Sequence, residues 1–326
     1  MMPAHKTECL IERLPAVRGE IRADVPLARI TWFRVGGSAE ILFRPADRDD
    51  LMDFLANRPD DVEVTVIGVA SNLLVRDGGI PGVTVRLGRS FATVEVDDTR
   101  VDAGAAALDI NVARACRDAG VSGLEFLSGI PGTIGGALSM NAGAFGREMK
   151  DVTVACEALD ADGRIHTLDL DDLGFSYRHC AVPKDWIFVG VRLQGDTGVR
   201  DDIARRMDHI AGARQESQPI RSRTGGSTFT NPPGAKAWTL IEAAGCRGLR
   251  HGGAMVSEQH CNFLINTGSA TADDLEALGE EVRRRVQETS GVTLEWEIRR
   301  IGISAAETAD QAAGRNMVEN NNRNGS

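Results

Sequence analysis

GLEFLSGIPGTIGGALSMNAGAFG, residues 123–146, carries glycines at 129, 132, 135, 136, 143 and 146 and no charged side chain from 126 to 146. Glycine at that density lets backbone pass close to a flat or phosphorylated ligand and turns N–H groups toward anions with no side chain in the way. A tight structural loop uses glycine too. The absence of charge, with Ser128, Ser139 and Asn141 as the polar groups, favours the wall of a buried cofactor. The spacing excludes two common nucleotide loops. Gly129, Gly132 and Gly135 do not make G-x-G-x-x-G, and no Lys-Ser/Thr pair follows as a P-loop requires. Nor is the stretch a membrane span, because Pro131, Asn141 and the glycines deny it both hydrophobicity and helix.

Upstream, IGVASNLLVRDGG (67–79) follows a β-branched run and offers Ser71, Asn72 and successive backbone N–H groups, as a pyrophosphate cradle would; a plain turn is the alternative. The runs AEILFRP, VEVTVIG and VTVRL, each closed by Gly, Pro or Asp, predict short strands. In GAAALDINVARACRDAG, Ile110, Ala113 and Cys116 recur at helical spacing and Gly120 stands where a C-terminal cap belongs.

Downstream, DVTVACEALDADGRIHTLDL predicts two strands joined at Asp162-Gly163, and DWIFVGVRLQG another. A helix, DDIARRMDHIAGARQE, and a Gly/Ser/Thr/Pro-rich loop follow. Thr271 with Asp274 forms a capping box ahead of Leu275, Leu278, Val282 and Val286, with Gly291 as the stop. LEWEIRRIG predicts the last strand, with Leu294, Trp296 and Ile298 on one face and Glu295, Glu297 and Arg299 on the other. The expected architecture is α+β in three parts, 1–88, 89–200 and 201–302, with a polar disordered tail over 303–326.

The 326 residues are 42% hydrophobic and 26% charged, enough for several cores. A net charge of −10 argues against nucleic acid or an acidic membrane surface as partner. Six scattered cysteines without a C-x-x-C pair, and no metal-ligand spacing, suggest reduced thiols in a cytoplasm and no metal. The start, MMPAHKTECLIERLP, has no apolar core or cleavage site of a signal peptide. A monomer is the default expectation.

GVASNLLVRDGG, the 123–146 segment, SYR (176–178), GGSTFTNP (225–232), GGAMVSEQHCNFLIN and LEWEIRRIG stand in that order. Together, over residues 30 to 302, they resemble the MurB family of UDP-N-acetylenolpyruvoylglucosamine reductases. The resemblance implies a vanillyl-alcohol-oxidase-type FAD-binding fold in two lobes plus a C-terminal α+β substrate domain. It also implies FAD and NADPH as cofactors and a UDP-sugar enolpyruvyl ether as substrate. The setting it implies is peptidoglycan precursor synthesis, and with it cell wall biogenesis, cell shape, the cell cycle and division. By motif position, FAD would meet Gly68, Ala70, Ser71, Asn72 and Leu73 on one loop. On the other it would meet Gly129, Ile130, Pro131, Gly132, Ile134, Gly135, Asn141 and Gly143.

The same resemblance makes Arg178, Ser227 and Glu297 catalytic and Tyr177, Arg221, Asn231 and Lys236 substrate contacts. Chemistry supports the trio independently. Hydride addition to the outer carbon of an enolpyruvyl carboxylate leaves negative charge on the inner carbon, so the site needs a cation and a proton donor there. A surface arginine, a turn serine and a solvated strand face are the ordinary alternatives, and Glu295 fits the last. No G-x-S-x-G marks a hydrolase serine. Between Arg214 and His251 six Lys/Arg face only Glu216 and Glu242, a basic segment suited to a pyrophosphate. The chain departs from the family pattern at Ala70, in place of a glycine, and at Thr230, in place of a lysine. A methyl at 70 is expected to fit if its φ is negative, and Lys236 is a candidate replacement for the lost lysine. Tyr177 is the sole tyrosine, so within the family the chain resembles the shorter subgroup without a tyrosine-bearing loop.

Overall fold

The β-branched runs near the N-terminus become neighbours in one sheet. Strand Ser38–Arg44 lies between its antiparallel partner Glu20–Pro26 and its parallel partner Ile80–Val85, and Val64–Val66 extends the sheet in parallel. With strands on both sides and layers on both faces, residues 39–43 are buried throughout. Helix Arg48–Asn57 covers the sheet with Leu51, Phe54 and Leu55, and begins where the Asp47 carboxylate accepts the Asp50 N–H. The computed structural model describes residues 10–308.

The second lobe is an antiparallel five-stranded sheet in the order Ile165–Leu168, Thr153–Leu159, Ile187–Gln194, Arg100–Gly104, Val94–Asp97. Asp162-Gly163 makes the expected hairpin turn, with Gly163 at φ +79°. Helix Asp109–Ala119 ends at Gly120 in the left-handed conformation, also as expected. The helix expected to open the third domain, Arg200–Ser217, belongs here instead. Its buried Ile203 and Met207 share a core with Leu124, Phe126 and Leu127, so the change of pattern at 201 marks an element of the second lobe rather than a boundary. The seam at 88/89 is bridged too, since Phe91, Leu159, Ile187 and Val189 pack with Phe43, Leu51 and Phe54.

The third lobe packs helices Ala237–Ala243 and Ala272–Ser290 on the short strands Arg250–His251, Ala254–Val256 and Leu264–Asn266. The long helix starts at the reciprocal Thr271/Asp274 capping box and buries Leu275, Leu278, Val282 and Val286. Phe33, Val35 and Leu74 of the first lobe enter the same core. The chain then runs back: Arg299–Ile301 pairs in parallel with Leu73–Val75, beside the first glycine loop. Of the expected strand LEWEIRRIG only this end is regular. Before it, a single bridge joins Trp296 to Phe229, while Leu294 and Ile298 are buried and Glu295 is exposed, as the alternation required. Ile303 to Thr308, read as tail, are held: the Ile303 N–H donates to Gly79 and the Thr308 N–H to Ser304. The rest of that tail, 309–326, lies outside the described residues. Among the described residues no helix is long and apolar enough to cross a membrane.

Trp296 lies so close to Gly279 that a methyl there would stand 2.2 Å from a ring carbon. Gly279→Ala is therefore expected to lower the melting temperature through an overpacking cost of about 1–3 kcal/mol. Because Trp296 precedes Glu297, one of the three residues expected to be catalytic, turnover is expected to fall as well. Unchanged melting and turnover would refute the packing argument.

Candidate active site

The two glycine loops form one wall. A methyl on Gly68 would stand 2.8 Å from Thr133 Oγ1, and one on Gly132 would stand 2.9 Å from Asp109 Oδ2 and 3.8 Å from Ser71 Oγ. Only glycine permits that approach. Ala70 sits at φ +55°, so the expectation of a negative φ fails: the methyl is held in the left-handed region at a cost of about 1–2 kcal/mol. The gain is geometric. A left-handed residue within a turn fans successive N–H groups to one side, and those of Val69, Ala70, Ser71 and Asn72 find no acceptor among the described residues. This is an anion cradle open at Gly68, Ser71 and Asn72, flanked by the accessible Ile130, Pro131, Gly132 and Gly135. An FAD diphosphate fits such donors, with the uncharged 129–136 loop beside it.

Two residues expected at the cofactor do not face this trough. Ile134 is fully buried in the second-lobe core and donates its N–H to Ala107. Asn141 is fully buried as well: its amide nitrogen donates to Glu148 and to the Ser176 carbonyl at 3.0 Å, while its oxygen accepts the Lys150 N–H. Asn141 thus props the Arg178 turn. In that turn Ser176 and His179 exchange main-chain hydrogen bonds, leaving Tyr177 and Arg178 at the tip with Arg178 at φ +55°.

Arg178 Nε donates to Glu297 Oε1 at 2.9 Å, and its Nη2 donates to the Gly143 carbonyl at 3.2 Å. Gly143 therefore serves the arginine through its carbonyl. The ion pair is shielded, with the two side chains 20% and 14% exposed. Burial raises the Glu297 carboxyl above the ordinary range, and Arg178 only partly opposes it. Asn72 ties this pair to the anion loop: its side-chain nitrogen donates to the Glu297 carbonyl at 3.1 Å, and its own carbonyl accepts the Arg299 N–H.

Ser227 is half-buried and reaches the same place through the main chain. It bridges Phe263, and the Glu297 N–H donates to the carbonyl of the adjacent Thr228 at 2.8 Å. The residue that fixes this loop was not singled out from sequence. Asn262 is buried, accepts the Phe229 N–H with its side chain and donates back to the Phe229 carbonyl. An amide inside the apolar run CNFLIN was the available signal.

Beyond the trio, Tyr177, Asn231, Lys236 and Thr239 line an open recess of about 590 Å³. Asn231 donates to the Tyr177 hydroxyl at 3.4 Å and caps helix Ala237–Ala243 by accepting the Ala237 N–H. Lys236 stands exposed at the rim. Arg221 is exposed on the preceding loop, and no hydrogen bond joins it to the recess among the described residues. Another depression, lined by Arg48, Asp102, Glu157 and Arg192, lies on the second sheet away from all these groups.

Residues 39–169 match the family model of an FAD binding domain, and 218–301 match that of the UDP-N-acetylenolpyruvoylglucosamine reductase C-terminal domain. A UDP-N-acetylenolpyruvoylglucosamine reductase of Parvibaculum lavamentivorans is 64% identical over 93% of this chain and 98% of the relative. The solved UDP-N-acetylenolpyruvylglucosamine reductase (MurB) of Thermus caldophilus has a TM-score of 0.75 at 37% identity, covering 88% of this chain and 100% of that one. The 6-hydroxy-D-nicotine oxidase of Arthrobacter nicotinovorans shares the fold, with a TM-score of 0.55 at 13% identity over 86% of this chain and 88% of its own. The architecture is thus the expected vanillyl-alcohol-oxidase-type FAD-binding fold with a C-terminal α+β domain. Matched along nearly its whole length by a relative at this identity, the chain belongs to the UDP-N-acetylenolpyruvoylglucosamine reductases, the MurB family of FAD-dependent enzymes.

Proposed function

We propose that Arg178, Ser227 and Glu297 carry out the reduction of the enolpyruvyl ether of UDP-N-acetylglucosamine to UDP-N-acetylmuramate. The observation that carries the proposal is the shielded Arg178–Glu297 pair, drawn from different lobes and tied through Asn72 to the anion cradle. Bound FAD, recharged by NADPH, supplies the hydride that adds to the outer carbon of the double bond. The protein has to manage the charge left behind. Arg178 keeps Nη1 and one Nη2 hydrogen for the substrate carboxylate, whose grip tightens as charge develops on it. Ser227 donates the proton that the inner carbon takes up. Glu297, biased by burial toward its neutral form, stabilises the charge and resupplies that proton. Tyr177, Asn231 and Lys236, at the recess, hold the UDP-sugar.

The reaction belongs to the cytoplasm and, through the cell wall, to cell shape and the division cycle. Cys116, Cys156, Cys180, Cys246 and Cys261 are all unpaired, which suits a reducing compartment. In the purified protein, NADPH should bleach the bound flavin and the enolpyruvyl UDP-sugar should restore its colour without oxygen. Recolouring by oxygen alone would make it an oxidase on the same fold, and a protein that takes up no flavin would be a non-catalytic module.

A further inference from the structure

In the stretch that carries Glu297 only Arg299–Ile301 lies in a sheet, and the ladder over 294–297 is reduced to a single bridge at Trp296. A side chain held to a precise place needs support there. Side chains of helix Ala272–Ser290 supply it. Arg283 Nε donates to the Leu294 carbonyl at 2.7 Å, and the Trp296 indole N–H donates to Glu280 Oε1 at 2.8 Å. Glu280 is itself fixed from two sides: Oε2 accepts Arg283 Nη1 at 2.6 Å, and Oε1 also accepts Arg300 Nη1 at 3.1 Å. The Arg300 guanidinium lies over the Trp296 ring, 4.6 Å from its centre, and the Phe229 ring stands 5.1 Å from it. Phe229 belongs to the Ser227 loop and bridges Trp296 through the main chain. Trp296 thus joins the helix to both segments that carry Ser227 and Glu297.

We propose that Glu280 is a positioning residue for the reduction: its hold on the Trp296 indole N–H sets where Glu297 and, through Phe229, Ser227 stand. An indole has one hydrogen to donate and no acceptor, so a single bond to a fixed carboxylate oxygen fixes the rotation of the ring. Neighbouring side chains of an extended segment point to opposite sides, so a turn of Trp296 against the helix moves Glu297 against Arg178. The 2.9 Å bond from Arg178 to Glu297 is the contact that such a turn would disturb. Main-chain bonds to Thr228 and Asn72 locate Glu297, and the Trp296–Glu280 bond adds its orientation.

The inference rests on Glu297 and Ser227 being catalytic, and its test separates the two half-reactions of the flavin-loaded enzyme. Trp296→Phe, which keeps a ring and loses the N–H, and Glu280→Ala are each expected to slow reoxidation by the enolpyruvyl UDP-sugar by about 10-fold, a fraction of the roughly 100-fold that an ångström of misplacement costs. Flavin reduction by NADPH should keep its rate in both. The double variant should be no slower than either single one, because both remove the same bond. Glu280→Gln keeps an acceptor oxygen and should restore reoxidation to near the wild-type rate. A purely structural role would lower the melting temperature and slow both half-reactions together, and that result overturns the proposal. Additive losses in the double variant, or a Glu280→Gln as slow as Glu280→Ala, overturn it too. If Trp296→Phe does not fold, the contrast between Glu280→Ala and Glu280→Gln still decides. Glu297→Gln is the control: at the wild-type rate it defeats the reading of Glu297 and this inference with it, whereas a slow Glu297→Gln beside a wild-type-like Glu280→Ala overturns this inference alone.

Discussion

Ser227→Ala leaves reduction of the bound flavin by NADPH nearly intact and slows its reoxidation by the enolpyruvyl UDP-sugar by about 10²–10⁴-fold, the scale of a lost general acid. The asymmetry follows from chemistry. Flavin reduction needs no proton at the sugar, whereas hydride transfer to the double bond leaves a carbanion that must be protonated. The local structure makes the substitution clean. The loop around Ser227 is fixed by its main-chain bridge to Phe263, by the Asn262 clasp on Phe229, by the Leu264 N–H on Thr228 Oγ1 and by the Glu297 N–H on the Thr228 carbonyl. None of these uses the serine hydroxyl, so its removal takes away a proton and not a strut. Stopped-flow absorbance at the flavin band separates the two half-reactions. Equal slowing of both would take Ser227 out of the role.

Local chemistry was legible in the sequence and long-range facing was not. The Thr271/Asp274 box, the Gly120 cap and the Asp162-Gly163 turn follow from rules that act within a few residues, and all stand in the fold. The motif order singled out two loops that the fold sets side by side, and two residues, Arg178 and Glu297, that meet across 119 residues of sequence. What failed depends on which side of a segment meets which lobe. Ile134 and Asn141 lie within the glycine segment, yet point into the second lobe rather than the trough. Helix Arg200–Ser217 follows a change of pattern, yet its apolar face returns to the older core. Ala70 breaks a glycine preference while keeping the glycine-like φ, because the fan of N–H groups requires it.

Arg178→Lys is expected to lose about 10²–10³-fold in the sugar-dependent half-reaction, as for a removed charge-stabilising donor. Charge is conserved in this variant, so the loss isolates geometry. The guanidinium plane is set at three points: a left-handed turn tip at φ +55°, the Nε–Glu297 bond and the Nη2–Gly143 bond. A carboxylate approaching the remaining edge meets two parallel donors, which a lysine ammonium cannot offer while also holding Glu297. Arg178→Ala goes further. Without its counter-ion Glu297 faces burial alone, so its carboxyl stays neutral to still higher pH and the alkaline limb of kcat/KM it governs moves upward. Measured pH profiles of both variants decide the matter. Near-normal turnover by Arg178→Lys would refute the two-point grip, and an unmoved alkaline limb in Arg178→Ala would show that the Arg178 charge does not hold down the Glu297 carboxyl.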